Sequence, residues 1–181
     1  MKGSLKIHSL HYNEFNMKKI LLFIIASIIS ACSQSQQTSN SVPQPQAITE
    51  QAKGYYCTMN LTEHNGGKAQ IFLHSQSDKP IWFSTVNQAF GFTRHPGEPK
   101  DVAAVYVTDM GQVQDWTKPN ADHAWIDAKT AHYVIDSQFI GGMGAVDALP
   151  FADLAKAQDF VQKNGGRIVK FDEMPDEFIY K

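Results

Sequence analysis

Apolar and polar positions fall into three regimes along this chain. Residues 20–29 form a nearly unbroken apolar run behind Lys18-Lys19, and residues 33 to about 53 are Ser, Gln, Thr and Pro with almost nothing apolar. From residue 54 onward, short periodic segments alternate with turn signals. Within that third regime, residues 68–73 and 80–84 carry the branched and aromatic side chains of strands, separated by Ser-Asp-Lys-Pro, and predict a hairpin. Residues 85–94 place Val86, Ala89, Phe90 and Phe92 at near-helical spacing, and His95-Pro96-Gly97 stops that helix. Residues 102–108 then read as a strand. The second half repeats the plan: residues 125–135 read as strand material, 151–164 as a helix closed by Gly165-Gly166, and 167–171 as a last strand.

The repeat has a register. Phe83, Val86, Ala89 and Phe92 align with Phe151, Leu154, Ala157 and Phe160, and each copy ends in a strand followed by an acid and a methionine, Asp109-Met110 and Glu173-Met174. The expected fold is α+β, with two similar strand-and-helix lobes at about 54–120 and 121–181. Phe90, Phe92 and Trp82 fall inside elements and are expected to fill the core.

The first regime carries an export signal. A charged pair followed by an apolar run too short to span a bilayer is what secretion machinery reads. Met17, directly before the pair, is an alternative start. Ile29-Ser30-Ala31-Cys32 resembles the lipobox of bacterial lipoproteins, so residues 1–31 are expected to be removed and Cys32 to become the lipid anchor. Ser33, rather than Asp, follows the cysteine, which by analogy with sorting rules favours the outer membrane. Residues 32–53 are expected to be a flexible tether, since their composition cannot bury enough surface to offset chain entropy.

Removing residues 1–31 changes the charge. Lys and Arg fall from 16 to 12 and Asp and Glu from 18 to 17, taking the net charge from −2 to −5. An acidic chain is a poor partner for phosphate backbones, so nucleic acid is not an expected ligand.

One thiol is then left, Cys57. An unpaired cysteine in an oxidising compartment asks for a use or for burial. It stands in Tyr55-Tyr56-Cys57-Thr58-Met59, and in an extended segment alternation would send Cys57 and Met59 to the same side. A thiolate and a thioether there would select Cu(I), which accepts two or three soft ligands, over harder ions. The competing reading is a buried strand with a small apolar cysteine and a methionine filling a gap. Met143, in Gly141-Gly142-Met143-Gly144, sits where three glycines free the backbone to present a long side chain at a surface, unless the turn tucks it into the core. Met110 has the simpler explanation of ending a strand. His64, five residues beyond Met59, is a weaker candidate for a nitrogen ligand, with His95, His123 and His132 ranked below it. No nucleophile elbow, phosphate-binding loop, His-Glu-x-x-His or Cys-x-x-Cys is present, so binding outranks turnover.

The lipobox, Cys57-Thr58-Met59 with Glu63-His64, and residues 68–73 resemble the NosL family, accessory lipoproteins of nitrous-oxide reductase. Trp82-Phe83-Ser84, Phe92-Thr93-Arg94, residues 106–111, residues 141–144 and Phe171-Asp172-Glu173 fit the same pattern in order. The family usually has Cys-Gly-Met where this chain has Cys57-Thr58-Met59. The resemblance implies a fold of two related ββαβ-type lobes, like a domain of organomercurial lyase. It also implies a periplasmic Cu(I) chaperone that supplies the copper-sulfide centre of nitrous-oxide reductase, working with an ABC-type transporter and its periplasmic subunit. By position, Cys57 and Met59 would be the main Cu(I) ligands, with Met143 contributing and His64 a weaker transfer. The chain is expected to be a monomer and not an enzyme. The competing classes are a thiol-dependent enzyme of organomercurial-lyase type, whose chemistry needs more than one thiol, and a passive envelope metal buffer or adaptor.

Overall fold

The computed structural model describes residues 41–117 and 124–181. The export segment, Cys32, the first part of the expected tether and His123 lie outside the described residues.

Two antiparallel sheets carry the fold. The first lobe runs β1 (Ala69–Leu73), β2 (Gln76–Phe83), α1 (Val86–Arg94) and β3 (Val102–Thr108). The second runs β5 (His132–Ile135), β6 (Leu149–Phe151), α2 (Leu154–Asn164) and β7 (Arg167–Val169), and a short α3 (Asp176–Ile179) follows. In both, the first strand is central, flanked by the second and third, which gives the orders β2-β1-β3 and β6-β5-β7. The shared ββαβ plan matches the expected α+β repeat. Phe83 and Phe151 each close the second strand of their lobe, and each helix begins three residues later under a side-chain cap, Thr85 for α1 and Asp153 for α2. The copies differ in burial. Val86 is fully buried, whereas its counterpart Leu154 is 42% exposed.

Strand alternation builds the interior. Ala69, Ile71 and Leu73 turn one face of β1 to Val86, Ala89, Phe90 and Phe92 of α1, in a core that Tyr133 and Ile135 of β5 also enter. Val134, between those two, belongs to a smaller cluster with Met110, Leu149, Phe151 and Ala157. Successive residues of one strand thus join two cores. Met110 is buried, as a residue ending a strand would be.

Three expectations need correction. The stretch 125–135 is not one strand, because a turn at 128–130 divides it, and β4 (Trp125–Asp127) adds to the first sheet beside β3. A strand beyond residue 120 thus belongs to the first sheet. Helix α2 starts at Leu154 because Phe151 ends β6, a strand whose Pro150 is tolerated since β6 lies at a sheet edge.

The third correction concerns the tether. From Pro43 onward the chain lies on the outer face of the first sheet. Gln46 and Gln70 exchange two hydrogen bonds, Gln46 N to Gln70 Oε1 at 2.8 Å and Gln70 Nε2 to Gln46 O at 3.1 Å. The Tyr106 hydroxyl donates to Pro43 O at 2.7 Å, and Ala52 is buried. A polar strap is held here because β1 offers a buried amide that needs partners, which composition alone does not reveal.

Candidate metal centre

The Cys57 segment is a closed loop rather than a strand. Lys53 and Asn60 pair as an isolated bridge, Gly54 N donates to Met59 O at 3.0 Å, and Thr58 N donates to Gly54 O at 2.7 Å. The alternation expected of an extended Cys57-Thr58-Met59 is absent because the chain reverses there, with Thr58 at φ 58°. The Cys57 sulfur shares a 2.9 Å hydrogen bond with Ser84 Oγ, whereas Met59 is 41% exposed. Aromatic contacts fix the loop. Tyr55 packs edge-on against Phe92 at 5.5 Å, and the hydroxyls of Tyr55 and Tyr56 both donate to Glu98, at 3.3 and 2.8 Å. No side chain fits at Gly54, where a Cβ would overlap Ser84 Oγ and lie 2.5 Å from Cys57 Sγ.

Ser84 links the thiol to the start of α1. The first amides of that helix, Val86 N and Asn87 N, donate to the carboxylate of Asp147 at 3.3 and 3.0 Å. Asp147 closes the loop that carries Met143. Met143 is 39% exposed and, with Tyr56, Thr85 and His95, lines a cavity of about 450 Å³. His95 turns its Nδ1 to Gly97 N at 3.1 Å.

Burial pushes the Asp147 carboxyl up to about 6, and its bonds from the amides of Asn87, Val86 and Ala148, with the Lys68 charge, pull it back. The folded protein thus holds this proton to higher pH than the unfolded chain does. The stability the group contributes is complete below its ordinary 3.8 and is lost as pH rises through about 6. Relative to wild type, Asp147→Asn should therefore gain roughly 2–3 kcal/mol between pH 4 and 7 in urea unfolding. Parallel pH profiles for the two proteins would contradict this.

His64 sits on the far side of the methionine loop. Its Nδ1 lies 3.0 Å from Gly142 O. A carbonyl can only accept, so Nδ1 carries the proton and, in the neutral ring, Nε2 holds a lone pair. That Nε2 is buried and has no hydrogen-bond partner. A pinned Nδ1–H with a free Nε2 is how metal-ligating histidines are commonly oriented. His132, by contrast, faces the Lys170 ammonium at 3.3 Å.

Among the described residues, no three His, Cys, Asp or Glu side chains stand together as a metal site. The thioethers of Met59 and Met143 are the further soft donors that the sequence pointed to. Ser84, Gly54, Lys68, Asp147 and Glu98 take part in holding these loops, and the sequence assigned none of them a role at the site. Ser84, Glu98 and Asp147 act through partners tens of residues away, whereas Lys68 bonds the turn just before it.

A family model described as NosL matches residues 45–179. The chain belongs to the NosL family. It is 37% identical over 164 residues to the copper-binding lipoprotein NosL of Achromobacter cycloclastes, covering 90% of this chain and 82% of that protein. Against the copper-binding lipoprotein NosL of Stutzerimonas stutzeri it is 29% identical over 160 residues, covering 88% and 80%. The crystal structure of the copper chaperone NosL from Shewanella denitrificans matches with a TM-score of 0.69 at 31% identity, over 75% of this chain and 98% of that one.

The glycine that the resemblance leads one to expect at position 58 has a physical reason. Position 58 requires a left-handed backbone, in which a β-branched residue is strained. Thr58→Gly should therefore raise stability by about 1 kcal/mol, after the extra chain entropy of glycine is counted. A lower urea midpoint for the variant would contradict this.

Proposed function

We propose that this protein is a Cu(I) chaperone of the bacterial periplasm. It is lipid-anchored through Cys32 to the outer membrane and delivers copper for the copper-sulfide centre of nitrous-oxide reductase. Cys57 and Met59 are the main sulfur ligands, Met143 contributes at the transfer surface, and His64 is the weaker, nitrogen candidate through Nε2. Copper is cargo here and not a resident cofactor. The observation that carries the reading is the His64 ring, whose buried and unpartnered Nε2 stands on the turn against which the Met143 loop rests. The names of the relatives, copper-binding lipoproteins and a copper chaperone, support the same class.

The donor set suits transfer. Cu(I) is content with two or three ligands, and exposed thioethers at Met59 and Met143 leave a side from which an acceptor's ligand can enter. The ion then moves by exchange and is never bare. The acceptor is the reductase's maturation machinery, an ABC-type transporter with a periplasmic subunit, and the chaperone acts as a monomer.

Two measurements test this. Anaerobic competition with a chromogenic chelator should show one tightly bound Cu(I) and an absorption edge with sulfur and nitrogen scatterers. The loaded protein, mixed with the reconstituted transporter and apo-reductase, should build the copper-sulfide centre, and free Cu(I) at the same concentration should do so far less. Weak or divalent-selective binding would refute the chaperone. Tight binding without delivery would favour a passive buffer.

A further inference from the structure

Lys68 is 1% exposed, and its ammonium forms no ion pair among the described residues. Burying an ammonium is costly unless its donors are all used. Here they are. Nζ donates to the carbonyls of His64 at 2.9 Å, Asn65 at 3.1 Å and Gly66 at 2.8 Å. Three successive carbonyls converge on one charge, so the lysine organises a single turn instead of joining distant elements. Without a cation those three dipoles would repel one another and turn toward water.

That turn is the seat of the methionine loop. His64 Nδ1 donates to Gly142 O, and Asn65 Nδ2 donates to Ile140 O at 3.3 Å. The approach is so close that a Cβ on Gly142 would lie 2.5 Å from His64 Cβ and 2.9 Å from Asn65 O. The other end of the loop is held at Asp147 by the amides of α1. We infer that Lys68 is the positioning residue of the donor site: by gathering the carbonyls of residues 64–66 it sets where the His64 Nε2 lone pair and the Met143 loop stand. Lys68 itself touches no copper. The inference rests on the Cu(I) reading above.

The test uses the full chain in anaerobic Cu(I) competition titrations, with copper-edge X-ray absorption on the same samples. Lys68→Met keeps the length and removes the charge. It should weaken Cu(I) binding at least tenfold and lose the nitrogen scatterer. In a His64→Ala background the same change should cost less than threefold, because the group it positions is gone. A Lys68→Met protein that keeps both affinity and nitrogen overturns the proposal, as does an equal loss in the two backgrounds, since either marks a lysine that only stabilises the fold. If Lys68→Met does not fold, Gly142→Ala pushes the same two segments apart from the other side. Loss of the nitrogen scatterer there supports the proposal and its retention overturns it. Failure of the wild type to bind Cu(I) overturns the copper reading and this proposal with it, whereas wild-type binding with unaffected variants overturns only the role of Lys68.

Discussion

Cys57→Ser should abolish tight Cu(I) binding and leave the fold intact. The hydroxyl is smaller than the thiol but can keep the hydrogen bond to Ser84 Oγ after a small shift, so the loop has no reason to open. What is lost is the soft anionic donor, since a serine hydroxyl does not ionise near neutral pH and binds monovalent copper poorly. Cys57 is the free cysteine among the described residues, and no second thiol there can replace it. A loss of about a thousandfold in affinity, roughly 4 kcal/mol, is expected against the chelator. Urea unfolding should move by less than about 1 kcal/mol, as for a partly exposed loop position. Unchanged Cu(I) affinity would remove the basis of the copper assignment.

Gly54→Ala should damage the same site without touching a donor. The new methyl would occupy the space now held by Ser84 Oγ and the Cys57 sulfur. Ser84 is fully buried beside the helix start, so relieving the overlap shifts both its hydroxyl and the thiol bonded to it. At least a tenfold loss of Cu(I) affinity is expected, with about 1–3 kcal/mol of destabilisation, the usual cost of overpacking. Ser84→Ala makes the control. It removes the thiol's partner but opens space, and should cost less than Gly54→Ala on both measures. Full copper affinity in Gly54→Ala would show that the thiol works equally well outside this packing.

Much of the architecture could be read from periodicity. The helix at residues 85–94 and the strand at 102–108 were legible because their apolar spacing is unambiguous, and α1 and β3 match them closely. Aligning Phe83 with Phe151 located the repeat because each ring closes the second strand of a ββαβ unit. β6 escaped notice because it is three residues long and contains proline.

The site was legible as a set of donor types and not as a geometry. Cys57, Met59, His64 and Met143 stand out as soft or nitrogen ligands in odd surroundings. The turn at Thr58 did not, because threonine suggests a strand and only its backbone angle reveals the reversal. Lys68 and Gln70, read along a strand, look like solvent-facing polar residues. Their burial depends on carbonyls of the preceding turn and on a strap that composition assigns to coil.

The amide exchange between Gln46 and Gln70 sits upstream of the sulfur loop, with only residues 47–52 between Gln46 and the bridge at Lys53. A pull on the chain ahead of Pro43 is therefore borne by β1 at the centre of its sheet, before it can reach the hairpin that carries the thiol. The strap contacts stand between the chain ahead of Pro43 and the Cys57 loop. On the proposed function, shortening or lengthening the chain ahead of Pro43 should leave Cu(I) affinity unchanged.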